Sequence, residues 1–182
     1  MIPTKTLMAV AVLVSTTVTM PSAQGRSSNP MKPSAAEVAE FRALEVKLWE
    51  AWNARLVPAD ARPFYSQDPK AIHFDFSPMK FTGWAEYERV ATQAIGGSGR
   101  AETTINDDFT LIKQGDLAVT AFTFHVDFYG KDGAKRGGGN ARETDVWVKE
   151  NGHWVVAHQH MSFPSAPGPA AGVAPGAVEP RP

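Results

Sequence analysis

The segment that most constrains the fold is Arg142 to Pro164, RETDVWVKENGHWVVAHQHMSFP. Two alternating runs, Glu143 to Lys149 and Trp154 to Ser162, flank Glu150-Asn151-Gly152-His153, and an Asn-Gly step suits the positive φ angles of a tight hairpin turn. One-residue alternation puts Glu143, Asp145 and Trp147 on one face of the first strand. It puts Trp154, Val156, His158, His160 and Ser162 on one face of the second. Acid, imidazole and indole groups therefore share a two-stranded ribbon.

The 182 residues suit one domain of ordinary size. Net charge is -1 and the basic residues are scattered, so the electrostatic footprint of a nucleic-acid binder is missing. Residues 1–25 read as a cleaved export signal: Lys5 is the positive start, Leu7 to Val18 the apolar stretch, and Pro21 to Gly25 a small-residue cleavage region. An uncleaved anchor fits less well, because the apolar run is short for a bilayer of roughly 30 Å. A periplasmic or secreted protein without stable membrane insertion is expected. The chain has no cysteine, which excludes disulfides, thiolate metal sites and a cysteine nucleophile. Residues 26–33 form a polar leader, and residues 165–182, rich in Pro, Ala and Gly, a tail with almost nothing to bury.

Between these ends, residues 34–164 carry the folded domain. Ser34 with Glu37 is a capping-box pattern, and Val38, Phe41, Leu44, Leu48, Trp52 and Leu56 recur at helical steps up to Pro58. A short helical turn over Ala59 to Tyr65 leads to a strand, Ala71 to Phe76, with Ile72, Phe74 and Phe76 on one face and His73 and Asp75 on the other. Lys80 to Thr82 is extended, and Trp84 to Ile95 reads as a further helix. Period-two runs then predict strands over Thr103 to Lys113, Ala118 to Tyr129, Gly139 to Lys149 and Trp154 to Phe163. Gly137 to Gly139 fit a flexible hairpin entry or a bulge; no strand-to-helix step follows them, so they are not a phosphate loop. The order predicts an α+β fold, a four-stranded antiparallel meander curving round the long helix.

That order, with Phe81-Thr82-Gly83-Trp84 before the third helix and Gly152-His153-Trp154 ahead of His158-Gln159-His160-Met161-Ser162, resembles the SnoaL-like division of the nuclear transport factor 2-like superfamily. The wording Glu143-Thr144-Asp145-Val146-Trp147 is similar to the association domain of calcium/calmodulin-dependent protein kinase II. The resemblance implies a cone-shaped barrel of a curved sheet wrapped around the N-terminal helix, a pocket at its open end, and homodimers or larger assemblies formed through the sheet. The arginines of the kinase hub pocket correspond here to His125, Asp145 and Met161, so a carboxylate-selecting cluster is not carried over. The chain also resembles ketosteroid isomerase more distantly. That resemblance implies Asp75 as a general base and Asp145 as an oxyanion donor, with Trp49 where the isomerase has a tyrosine.

A carboxylate facing an apolar cone would lose solvation, which favours its neutral form and fits it to act as a base or a neutral donor. Asp75, Asp145 and His125 are the catalytic candidates, and Trp49, His73, Asp127, Trp147, His158 and His160 the candidates for contacting a ligand. Three imidazoles and a carboxylate would satisfy a zinc or iron shell, but the same H-x-H occurs as structure in hub-like relatives, so no metal site is predicted. The expected function is binding of a small, largely apolar organic molecule, with cofactor-free proton transfer or water loss next to a carbonyl as the natural chemistry. A non-catalytic oligomerisation or ligand-binding module is the alternative.

Overall fold

The computed structural model describes residues 32–75 and 80–164. The export signal, most of the leader, the C-terminal tail and Phe76 lie outside these residues. Helix α1, Ala35–Asn53, starts as its sequence requires: the Ser34 hydroxyl accepts from the Glu37 amide and the Glu37 carboxylate accepts from the Ser34 amide. It stops three residues short of the predicted end. Pro58 disfavours helical geometry just before it, and Leu56 takes φ +50° with its side chain 6% exposed. A short helix α2, Pro58–Ala61, and a 3₁₀ turn, Arg62–Phe64, follow. Strand β1 is Ile72–Phe74, β2 is Phe81–Thr82, and helix α3 is Trp84–Ile95. No helix among the described residues is long and apolar enough to cross a membrane.

The predicted strand over Thr103 to Lys113 is two strands, β3 (Gly99–Ile105) and β4 (Thr110–Gln114), both antiparallel to β5 (Leu117–Gly130). The break has a local cause. Asp108 Oδ1 accepts from the Thr123 amide at 3.0 Å and Asn106 Nδ2 donates to Thr123 Oγ1 at 2.8 Å, so side chains take over the ladder there. Strand β6 (Lys135–Glu150) pairs with β5 and includes Gly137 to Gly139, beside a register shift at Phe128/Tyr129. Strand β7 (His153–Ser162) returns through Asn151 and Gly152, both at positive φ, as the turn chemistry demanded.

The sheet order is β2-β1-β7-β6-β5-β3, with β4 also on β5; every pairing is antiparallel except β1 with β7. The sheet curves round α1 without closing, the expected α+β arrangement of a curved, mostly antiparallel sheet wrapped around the N-terminal helix. Phe41 of α1 meets Trp147 and Trp154, and Trp49 meets Phe124, so the helix fills the concave face. Its 3.6-residue period supplies one buried stripe, Phe41, Glu45, Leu48 and Trp52.

Candidate functional site

Beside the lower half of α1 lies a cavity of about 210 Å³. Trp49, Trp52 and Leu56 form one wall, Tyr87, Ala91 and Ile95 of α3 a second, and Phe124, Val126 and Phe128 of β5 a third, with Met161 of β7 closing the end. Each set has the spacing its element requires: three or four residues on the helices, two on the strand. Three polar side chains interrupt this lining, Asn53, Asp75 and Gln159.

Asp75 follows directly on β1, and the Tyr87 hydroxyl donates to its Oδ2 at 2.8 Å. The same hydroxyl lies 3.3 Å from Gln159 Oε1, which also accepts from Tyr65 at 3.0 Å, while Trp52 Nε1 donates to Tyr65 at 3.0 Å. Burial pushes both tyrosine hydroxyls well above their ordinary pKa, so both stay protonated donors. The amide of Gln159 continues inward, donating to Glu143 Oε1 at 2.5 Å.

Under the cavity floor, Glu45 of α1 meets Glu143 and Asp145 of β6, at 0%, 2% and 0% exposure. Glu45 Oε1 accepts from Thr120 at 2.6 Å and Trp147 Nε1 at 2.8 Å, and Glu143 Oε2 accepts from Trp49 Nε1 at 3.0 Å. Glu45 Oε2 and both oxygens of Asp145 are buried without a hydrogen-bond partner. Desolvation raises the pKa of Glu45 to about 7 and that of Glu143 to about 8, where the charge of Glu45 adds to the effect. Asp145 is pushed well above its ordinary value, by burial first and by its two acidic neighbours second.

The predicted site residues separate into three groups. Asp75 and Trp49 line the cavity. Asp145 and Trp147 share one face of β6, as alternation required, and that face is the inner one, but they lie in the core beneath the cavity; Trp147 is fully buried against Phe41 and Glu45 and does not contact the cavity. His73 is also fully buried, packed on Tyr65 and Tyr87, and burial lowers its pKa to about 4, so it is a neutral core residue. His125 and Asp127 leave the opposite face of β5 from Phe124 and Val126. There His125 bonds Asn140 and Asp127, and Asp127 pairs with Lys135 at 2.7 Å.

His158 and His160 also lie on the outer face, where the Nδ1 of His158 meets the Ile72 carbonyl at 2.7 Å. The cause is a bulge: Trp147 pairs with Val156 and Val146 with His158, so Ala157 is the extra residue and shifts the phase of β7. Gln159 and Met161 therefore face inward. The four strand histidines do not converge; among the described residues the metal-compatible group is Glu45, Glu143 and Asp145. Sequence reasoning missed Tyr87 and Gln159 as site residues. Helical spacing marked Tyr87 as buried, whereas an alternating H-x-H pattern hid Gln159.

The Salmonella enterica serovar Typhimurium protein of the nuclear transport factor 2-like superfamily aligns with 76% of this chain and 99% of its own, at 19% identity and a TM-score of 0.63. The association domain of Caenorhabditis elegans calcium/calmodulin-dependent protein kinase II aligns with 71% of this chain and 96% of its own, at 18% identity and a TM-score of 0.52. A Streptomyces avermitilis protein of the same fold family, whose name proposes a dehydratase, covers 72% of this chain and 98% of its own at 14% identity, with a TM-score of 0.60. These likenesses establish the fold. No curated protein matches the chain. The SnoaL-like domain model matches residues 48–166, and the chain belongs to that family.

Proposed function

We propose that the chain binds a small, largely apolar organic molecule in the cavity and that Asp75 acts on it as a general base, in proton transfer or water loss next to a carbonyl. The observation that carries this reading is the Asp75 carboxylate at an apolar cavity wall, held by the Tyr87 hydroxyl. A hydrogen bond fixes one oxygen, and the apolar rings of the lining set the bound molecule beside the carboxylate. Gln159 and Asn53 supply polar contacts that orient a carbonyl compound. The dehydratase name of the Streptomyces relative supports the same reaction class.

The test is hydrogen–deuterium exchange at the α-carbon of a panel of apolar cyclic ketones, followed by NMR in D₂O. Native protein accelerates exchange on the ketones that fit. Asp75→Asn loses roughly a hundredfold or more of that rate with its melting temperature retained. No acceleration across the panel, or equal loss of stability and rate, refutes the reading.

A second reading, a homo-oligomeric binding module, is favoured by the outer face of the sheet. Ile112, Val119, Val146, His158 and Ile72 stand in one cross-strand row there, with Ile112 60% exposed. Mass in solution tests it: a dimer or larger assembly supports it, a monomer removes it. Export belongs to the proposal on the strength of residues 1–25, and N-terminal sequencing of secreted or periplasmic material checks it.

A further inference from the structure

We propose that Glu45, Glu143 and Asp145 form a binding site for one oxygen-preferring divalent cation of the Ca²⁺ or Mn²⁺ type, which clamps α1 to the sheet beneath the cavity. One oxygen from each carboxyl lies within 4.8 Å of the others. Three atoms so placed lie within about 2.8 Å of a common centre, and an inward shift of a few tenths of an ångström reaches the roughly 2.3–2.6 Å of Ca²⁺–oxygen bonds.

The hydrogen bonding divides the cluster in the way a cation site requires. Neutral donors fix one oxygen of Glu45, from Thr120 and Trp147, and both oxygens of Glu143, one from Trp49 and one from Gln159; a carboxylate oxygen so held keeps a second lone pair for a cation. Those donors orient the carboxylates. Both oxygens of Asp145 and the second oxygen of Glu45 are fully buried and have no hydrogen-bond donor except a neighbouring carboxyl's own proton, whose place a central cation takes. Among the described residues no lysine, arginine or histidine forms a salt bridge with any of the three. Buried carboxylates need compensation by protons or by a cation. The ligand atoms are all oxygen, which selects hard cations over zinc or copper. Binding displaces the protons that the carboxyls otherwise hold, so affinity rises with pH.

Glu45 arrives from α1 and the other two from β6, so the cation joins elements far apart in sequence. The site does not depend on the catalytic reading, because Asp75 is not a ligand. The experiment refolds the full chain at pH 8 in millimolar Ca²⁺, Mn²⁺ or a chelator, desalts it and measures bound metal and melting temperature. About one ion per chain is expected. A cation at a hundredfold excess over its Kd raises the melting temperature by roughly 8 °C relative to chelated protein. Tb³⁺ in place of Ca²⁺ gives luminescence on excitation of the indoles, since Trp147 and Trp49 bond the ligand side chains. Asp145→Asn and Glu45→Gln, which stay folded because an amide has the shape and neutrality of the protonated carboxyl, lose the ion, the thermal shift and the luminescence, whereas Asp75→Asn keeps all three. Metal-free protein after refolding in Ca²⁺ and Mn²⁺, with unchanged melting, overturns the proposal and assigns protons to the cluster.

Discussion

With divalent cations chelated, the three buried carboxyls make stability fall as pH rises, and Asp145→Asn removes much of that dependence. A carboxyl whose pKa is raised by folding binds its proton more tightly in the native state than in the unfolded chain. Raising pH therefore favours unfolding, from the ordinary carboxyl pKa up to the folded one. Glu45 reaches about 7 and Glu143 about 8, and Asp145 is raised well above the ordinary carboxyl value. His73 acts in the opposite sense, because its folded pKa of about 4 lies below the ordinary 6.5; its contribution grows from pH 4 and is complete by about pH 6.5. Glu37 and Asp127, both lowered by hydrogen bonds, also act only at acid pH.

In the window from pH 6.5 to 8.5 the cluster acts together with His125, whose pKa is raised by its hydrogen bonds to Asn140 and Asp127, so the comparison is made on a His125→Gln background. One carboxyl that keeps its proton over those two pH units costs about 3 kcal/mol, at about 1.4 kcal/mol per unit. Urea unfolding followed by tryptophan fluorescence at pH 6.5, 7.5 and 8.5 measures it. On that background, otherwise native protein loses about 3 kcal/mol across the window from Glu45 and Glu143 alone, and Asp145→Asn loses less because one raised carboxyl is gone. A native profile that is flat from pH 6.5 to 8.5, or an identical slope in Asp145→Asn, refutes the reasoning.

Further outcomes are expected at other sites. Tyr87→Phe removes the donor to Asp75 and a contact to Gln159, and costs about 1–3 kcal/mol in urea unfolding. Gly83→Ala places a β-carbon 3.2 Å from the Pro69 backbone at φ +74°, and costs about 1–2 kcal/mol by the same assay. Ala94→Trp, at an exposed position on the cavity lining, abolishes the fluorescence gain of an apolar dye such as anilinonaphthalene sulfonate while leaving the melting temperature within a few degrees.

Local chemistry made much of this fold legible. The Ser34 cap, Pro58 and the Asn151-Gly152 turn each act within a few residues, and each stands where the sequence placed it. That Glu143, Asp145 and Trp147 share one face followed from alternation alone, whereas which face turns inward depends on how the sheet packs on α1. Non-local effects were not readable. The break between β3 and β4 depends on Asn106 and Asp108 reaching Thr123 across the sheet. On β1 the polar side faces inward, with His73 buried and Ile72 37% exposed, because the aromatic groups of α3 and Tyr65 complete the core there. The carboxyl cluster needed Glu45 from a helix a hundred residues upstream of Asp145, and its helical phase gives no sign of acidic company.

Ala157 occupies the bulge of β7, and the consequence is a binary one. Drawn into the ladder opposite Val146, that residue would slide the end of the strand by one position along β6, turning His158 and His160 toward the hollow and Gln159 and Met161 toward solvent. Deleted outright, it would leave Val156 on Trp147 and His158 on Val146, and the present lining unchanged. Two chemically distinct interiors, amide and thioether or imidazole, are thus separated by whether one small residue is counted in the pairing.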